Sequence, residues 1–203
     1  MTTPRNEHYP LRRREVVKAL LAERGDLLVV AGLGATNWDA TAAGDHPLTF
    51  PLWGAMGGAA MVGLGLAIAQ PARRVLVVTG DGELLMGLGA LATIAVQAPP
   101  NLALVVIDNE SYGETGMQPT HTAHGVDLTA IAAGAGLPTA RGVTDAAEFT
   151  AALPLIRAAP GPVFVNIKVR AEALPLVMPP KDGAYLKDRF RIALLGAERA
   201  VGA

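Results

Sequence analysis

At 203 residues the chain has the length of one domain with room for a sizeable core; with 51% hydrophobic and only 17% charged residues, its surface is expected to include apolar area that a partner covers. A formal net charge of −1 leaves no basic footprint for nucleic acid. The absence of cysteine removes disulfides, thiolate metal sites, iron–sulfur clusters and cysteine nucleophiles together.

The opening MTTPRNEHYPLRRREVV is polar and charged and lacks the apolar core of a secretory signal. A helical pattern over 11–24 leads into an extended apolar run at 26–32. The most apolar stretch, MGGAAMVGLGLAIA (56–69), is only 14 residues long and glycine-rich, so a buried helix over 56–70 suits it better than a membrane span. A Val-rich run at 74–80 is followed by a long helical pattern over 84–97 and a further run at 101–108. A helix over 127–136, a shorter strand near 137–143, a helix over 144–158 and a strand at 162–169 follow. TDAAEF (144–149) marks a helix start, with Thr144 or Asp145 as N-cap and Glu148 reaching back. Pro-rich LPLVMPPKDGAY (174–185) reads as a connecting arm before a last helix at about 184–199, so 174–203 is an arm and helix attached to a single domain.

Strands alternating with helices imply an α/β fold, a doubly wound parallel sheet with helices on both faces. A soluble, cytoplasmic protein is the expectation. Two glycine stretches, GLGATN (32–37) and GLGLAI (63–68), fall short of a dinucleotide fingerprint, the first for its Asn37 and the second for want of a third glycine and a preceding strand.

VVTGDGE (77–83) is more informative. It ends a buried run on Asp81 between Gly80 and Gly82, at the carboxyl end of a strand, where open α/β sheets bind ligands. Asp108-Asn109 closes the next strand, and Asn109 lies 28 residues after Asp81, one strand–helix–strand excursion. An acid and an amide oxygen at one sheet edge suit a hard divalent cation such as Mg²⁺, which also takes phosphate oxygens. The helix beginning near Glu83 adds N–H donors for a phosphate. Alone, Asp81 would read as a helix cap and Asn109 as a strand end; the spacing joins them.

GDGELLMGLGALATIAVQAPPNLALVVIDN (80–109) resembles the cofactor motif of thiamine diphosphate-dependent enzymes, a GDG followed after a little under thirty residues by Asn-Asn. Here Asp108 replaces the first Asn. The resemblance implies thiamine diphosphate and Mg²⁺ as cofactors, with the metal on Asp81, Asn109 and the carbonyl of Ser111. WGAMGGA (53–59) is similar to the family's G-x-M-G segment, which implies that the Gly54 carbonyl receives the cofactor's amino group and Met56 props its bent shape. Thr36 and Asn37 are then diphosphate donors, and Gly80, Gly82, Glu83, Tyr112 and Gly113 complete the cofactor set.

Within the family, residues 10–170 are most similar to the β subunits of sulfopyruvate decarboxylase and the carboxyl-terminal part of phosphonopyruvate decarboxylase. This implies a subunit of a decarboxylase of a small 2-oxo acid, with a polar segment over 114–124 closing on substrate through Glu114, Thr115, Gln118, Thr120, His121 and His124. The family's catalytic glutamate belongs to a pyrimidine-binding domain, for which this chain has no space. A partner subunit bearing it, and hence a hetero-oligomer, is expected. No Arg or Lys lies between Arg74 and Arg141, so the cation gripping a sulfonate is expected from that partner. His121 and His124 lack a third ligand for zinc. YGETGMQPT (112–120) also resembles the β subunits of 2-oxoacid:ferredoxin oxidoreductases, of which this cysteine-free chain would be a cluster-free version. A non-catalytic cofactor-binding module is the remaining reading.

Overall fold

The Val- and Leu-rich runs pair into the centre of the molecule. The computed structural model describes residues 6 and 8–202. Its first half comprises α1 (Arg13–Leu21), β1 (Leu28–Ala31), α2 (Ala35–Ala42), β2 (Thr49–Pro51), α3 (Ala59–Ala69), β3 (Val75–Gly80), α4 (Asp81–Met86), α5 (Ala90–Gln97) and β4 (Leu102–Asp108). The second half comprises β5 (Ser111–Tyr112), β6 (Gln118–Pro119), a 3-10 turn (His121–His124), α6 (Leu128–Gly134), β7 (Thr139–Val143), α7 (Ala146–Ala158), β8 (Val163–Lys168), α8 (Gly183–Leu195) and α9 (Ala197–Val201).

Six strands form one parallel sheet in the order β2-β1-β3-β4-β8-β7, while β5 and β6 make a small antiparallel hairpin. Alternate residues of each central strand serve opposite faces. Ala103, Val105 and Ile107 of β4 join Val17 and Leu20 of α1 and Phe149 and Ile156 of α7. Leu102, Leu104 and Val106 join Leu64 of α3, Ile94 of α5 and Leu128 of α6. Burial on both faces explains why these strands read as continuous apolar runs. The doubly wound α/β fold expected from the sequence is the fold found. Among the described residues, no helix is long and apolar enough to cross a membrane.

Several boundaries differ from expectation, each for a local reason. The pattern over 84–97 is two helices, because the chain breaks at Gly87-Leu88-Gly89, where Gly87 lies against the backbone of Gly57. A Cβ on Gly87 would overlap the Gly57 carbonyl. Helix α2 was hidden in GLGATN; the side chain of its Asp39 is fully buried and held by Arg13 and Arg14 of α1. Strand β2 is three residues long and contains Pro51, too short and too weak a pattern to register. The last helix divides at Gly196, whose φ is 83°. The start of α7 is as expected: Asp145 accepts the Glu148 N–H at 2.8 Å and Glu148 accepts the Thr144 N–H at 2.7 Å.

After β8 the chain runs without regular structure to α8, which lies across edge strand β2. Phe190 packs on Phe50 with ring centroids 5.4 Å apart, and Arg189 bonds Asp45 at 2.6 and 3.0 Å. The edge is thereby covered. On the other side of β1 lies the feature that positions the site. β1 leads to α2 on one face, and its neighbour β3 leads to α4 and α5 on the other. Their carboxyl ends diverge and leave a crevice, the usual ligand position in open α/β sheets.

Candidate cofactor and metal site

Gly80 ends β3 in extended backbone, and Asp81 opens α4 with its side chain buried. A Cβ on Gly80 would meet nothing within 4 Å, whereas one on Gly82 would come within 2.5 Å of the Tyr112 ring. The first glycine therefore borders open space, and the second lets Tyr112 close over the turn. On the neighbouring strand, the chain leaves β4 through two side-chain-supported turns. Asp108 Oδ1 accepts the Glu110 N–H at 3.1 Å, and Asn109 Oδ1 accepts the Ser111 N–H at 3.0 Å. Glu110, at φ 59°, takes the left-handed conformation between them. Asn6 clamps this turn from the amino-terminal side, donating to the Asn109 carbonyl at 2.9 Å and to Ser111 Oγ at 3.0 Å.

These segments enclose a cleft of about 160 Å³. Of the residues expected to hold cofactor or metal, Thr36, Met56, Gly80, Asp81, Gly82, Glu83, Asn109, Ser111, Tyr112 and Gly113 line it, together with Glu114. The two-strand spacing has thus brought Asp81, Asn109 and Ser111 to one edge.

Other expected residues stand outside the cleft lining. Asn37 is buried beneath the cleft, and its amide donates to the Leu52 carbonyl at 2.6 Å, so it is not among the cleft-lining groups. Gly54 is exposed and outside the cleft lining, next to Ala55 at φ 55°. Gln118 is exposed and folds back on Thr115, its amide donating to the Thr115 carbonyl at 2.8 Å. His121 and His124 are exposed on the 3-10 turn, and neither lines the cleft. Among the described residues there is no group of three or more His, Cys, Asp or Glu that could hold a metal.

Two carboxylates have structural employment that the sequence did not disclose. Glu83 Oε1 accepts the N–H groups of Gly57 at 3.0 Å and Ala59 at 3.1 Å, and its Oε2 accepts from the Thr79 hydroxyl. It therefore caps α3 and sets the loop carrying Met56. Glu114 Oε1 accepts the Trp38 indole N–H at 2.9 Å, tying the β5–β6 hairpin to α2.

Asp81 Oδ2 accepts from Thr120 Oγ1 at 2.5 Å and from Thr122 Oγ1 at 3.1 Å. Burial, and after it the charge of Asp108, push the Asp81 carboxyl up to about 7, against the two hydroxyls that favour its ionised form. Lys168 is spent elsewhere, 2.8 Å from both Asp108 Oδ2 and Glu110 Oε1. Among the described residues, no Lys or Arg lines the cleft. A buried acid short of positive charge, beside an amide oxygen and open backbone, fits a hard divalent cation with oxygen ligands. The residues sequence reasoning missed, Thr122, Lys168, Asn166 and Asn6, lie far from GDG in the chain. The one signal available was the polar alternation of Thr120-His121-Thr122, where both threonines are buried and the histidine is exposed.

Comparison with known proteins agrees with this geometry. Residues 33–167 match the model for the thiamine pyrophosphate enzyme, C-terminal TPP binding domain. The chain is 37% identical over 187 residues to sulfopyruvate decarboxylase subunit beta of Methanothermobacter thermautotrophicus, covering 92% of this chain and 97% of that one. It is 39% identical over 181 residues to phosphonopyruvate decarboxylase of Streptomyces viridochromogenes, covering 88% of this chain but 45% of that protein. Benzoylformate decarboxylase from Polynucleobacter necessarius shares the fold, with a TM-score of 0.68 at 19% identity over 87% of this chain and 36% of that one. The chain belongs to the thiamine pyrophosphate enzymes, as a TPP-binding domain of the C-terminal type.

Proposed function

We propose that this chain is the diphosphate- and Mg²⁺-binding subunit of a thiamine diphosphate-dependent 2-oxo acid decarboxylase acting on a sulfopyruvate- or phosphonopyruvate-like substrate. Asp81, Asn109 and the Ser111 carbonyl would hold the metal, and the metal the diphosphate. The observation that supports this most directly is the meeting of Asp81, Asn109 and Ser111 at one cleft edge in a chain that matches a decarboxylase β subunit over nearly its whole length.

The bound cofactor supplies an electron sink for the carbanion left when carbon dioxide departs. This chain's residues prepare that chemistry. Met56, exposed on a loop fixed by Glu83, props the cofactor from one side of the cleft. Tyr112, over Gly82, covers the metal end and excludes water. The Gly54 carbonyl, on the same loop as Met56, is the acceptor assigned to the cofactor's amino group. Glu83, Glu110 and Glu114 are each bonded within this chain, which supports assigning the activating glutamate to a pyrimidine-domain partner in a hetero-oligomer. The anionic end of the substrate needs a cation that the described residues lining the cleft do not supply, and this too is assigned to the partner.

The test is to tag the chain, recover it from native cell extract, identify co-purifying chains and assay the complex for carbon dioxide release from 3-sulfopyruvate and phosphonopyruvate. A stoichiometric partner with turnover on either acid is expected. Recovery of the chain alone, inert toward both, would overturn the proposal in favour of a non-catalytic module.

A further inference from the structure

We infer that Thr120 and Thr122 are positioning residues that select which oxygen of Asp81 faces a metal, and that the Asp108–Lys168 pair holds them in register. The inference rests on the metal-site reading above. Both threonine side chains are almost fully buried, and both hydroxyls approach the same atom, Asp81 Oδ2, at 2.5 and 3.1 Å. Among the described residues, both threonine bonds to Asp81 go to Oδ2 and none to Oδ1. With one oxygen tied inward, the carboxylate presents the other as a monodentate ligand in a fixed rotamer. Hydroxyl donors on the non-ligating oxygen of a metal carboxylate are the usual means of orienting it.

Thr122 also reaches sideways, 2.8 Å from Asp108 Oδ1 and 2.9 Å from Thr120 Oγ1. Asp108 is itself immobilised from two sides. Its Oδ1 accepts the Glu110 N–H at 3.1 Å, and its Oδ2 takes Lys168 Nζ at 2.8 Å and Asn166 Nδ2 at 3.0 Å. The contacts form one path: β8 supplies Lys168 and Asn166, the end of β4 supplies Asp108, the 3-10 turn supplies Thr122, and Asp81 on α4 receives it. With Asp81 ionised, as a metal ligand must be, Thr120 donates to Asp81 and the hydroxyl of Thr122 lies between Asp81 and Asp108.

The same path accounts for Asp108 standing where the resembling motif has asparagine. A second carboxylate beside a metal ligand would be costly if left bare. Lys168 meets its charge, so the arrangement keeps an acceptor for Thr122 without adding an uncompensated anion. Lys168 is thereby a partner of Asp108 and not a substrate cation.

The test reads metal binding directly: Mn²⁺ titration followed by electron paramagnetic resonance, with thiamine diphosphate present, on the full chain in the complex in which it purifies. Melting midpoints serve as the control for folding. Thr120→Val, which removes a hydroxyl at constant shape, is expected to weaken Mn²⁺ by roughly 10–100-fold with little change in melting, and Thr122→Val by less. Thr120→Ser should restore affinity to about that of the parent. Lys168→Met should weaken Mn²⁺, and Lys168→Met combined with Asp108→Asn should recover most of the loss. That pair keeps the test decisive if a valine variant fails to fold. Parental affinity in both valine variants, or equal losses in Thr120→Ser and Thr120→Val, would overturn the inference while leaving the metal site standing. Parental affinity in Asp81→Asn would instead sink the metal assignment itself.

Discussion

The two banks of the cleft are built differently. On the metal side, Asp81, Asn109 and Ser111 are buried and held by side-chain bonds from Asn6, Thr120 and Thr122. Facing them, the β5–β6 hairpin is exposed from Gly113 to Pro119, and its bond to the body of the protein runs from Glu114 to Trp38. Thr115 and Gln118 bond each other, and Thr115 also bonds the Tyr112 carbonyl within the same hairpin. A bank locked by buried polar bonds suits geometry that must not vary. An exposed hairpin with one strong tether suits a surface that adjusts to a substrate or a partner.

That contrast makes graded predictions. The largest effect is expected from Asp81→Ala, which removes the single charged ligand assigned to the metal. Calorimetric titration with Mg²⁺ and thiamine diphosphate should show a loss exceeding the roughly 10–100-fold typical of outer-shell changes. Next comes Gly87→Ala, whose Cβ must displace backbone at Gly57. A cost of about 1–3 kcal/mol, as for overpacking generally, should appear in urea unfolding. Third is pH. The Asp81 carboxyl is raised in the fold to about 7 from 3.8, so below that pH the metal-free protein favours the protonated form. Stability from this group is full at acid pH and lost as pH rises through about 7. Mg²⁺ affinity should move oppositely, strengthening over that window and levelling above it, because the ligand must be ionised. Melting curves and calorimetry across pH 5–9, roughly the range bracketing that value, test both signs.

The smallest effect on cofactor binding is expected on the exposed bank. Gln118→Ala and His121→Ala should leave thiamine diphosphate affinity within about 2-fold, since surface changes away from buried features usually cost within about 0.5 kcal/mol. A large loss in either would erase the distinction between the banks. A change confined to KM for the 2-oxo acid would sharpen it.

What could be read from the chain follows the same division. Asp81 and Asn109 were legible because strand ends in a parallel sheet convert a sequence interval into a shared edge. The strands themselves were legible because burial on both faces left unbroken apolar runs. Glu83 lines the cleft, but its bonds to Gly57 and Ala59 depend on where α3 begins, which no local pattern states. Asn37 looked like a cofactor donor while α2 was read as a loop; once the helix forms, its side chain falls on Leu52. Thr120 was read as part of a lid because Thr, Gln and His crowd together there. Hydroxyls alone do not reveal that their acceptor is 39 residues upstream.

The contact between Gly57 and Gly87 has a consequence for how a ligand is received. Neither residue leaves room for a side chain, so the Met56 loop and the break between α4 and α5 are seated against each other by backbone alone. Glu83 fastens the same loop from the other side. The entropy of ordering this wall is therefore lost when the chain folds and not when a cofactor arrives. Association then needs little rearrangement on this side, and its rate is set by diffusion and by the opposite bank.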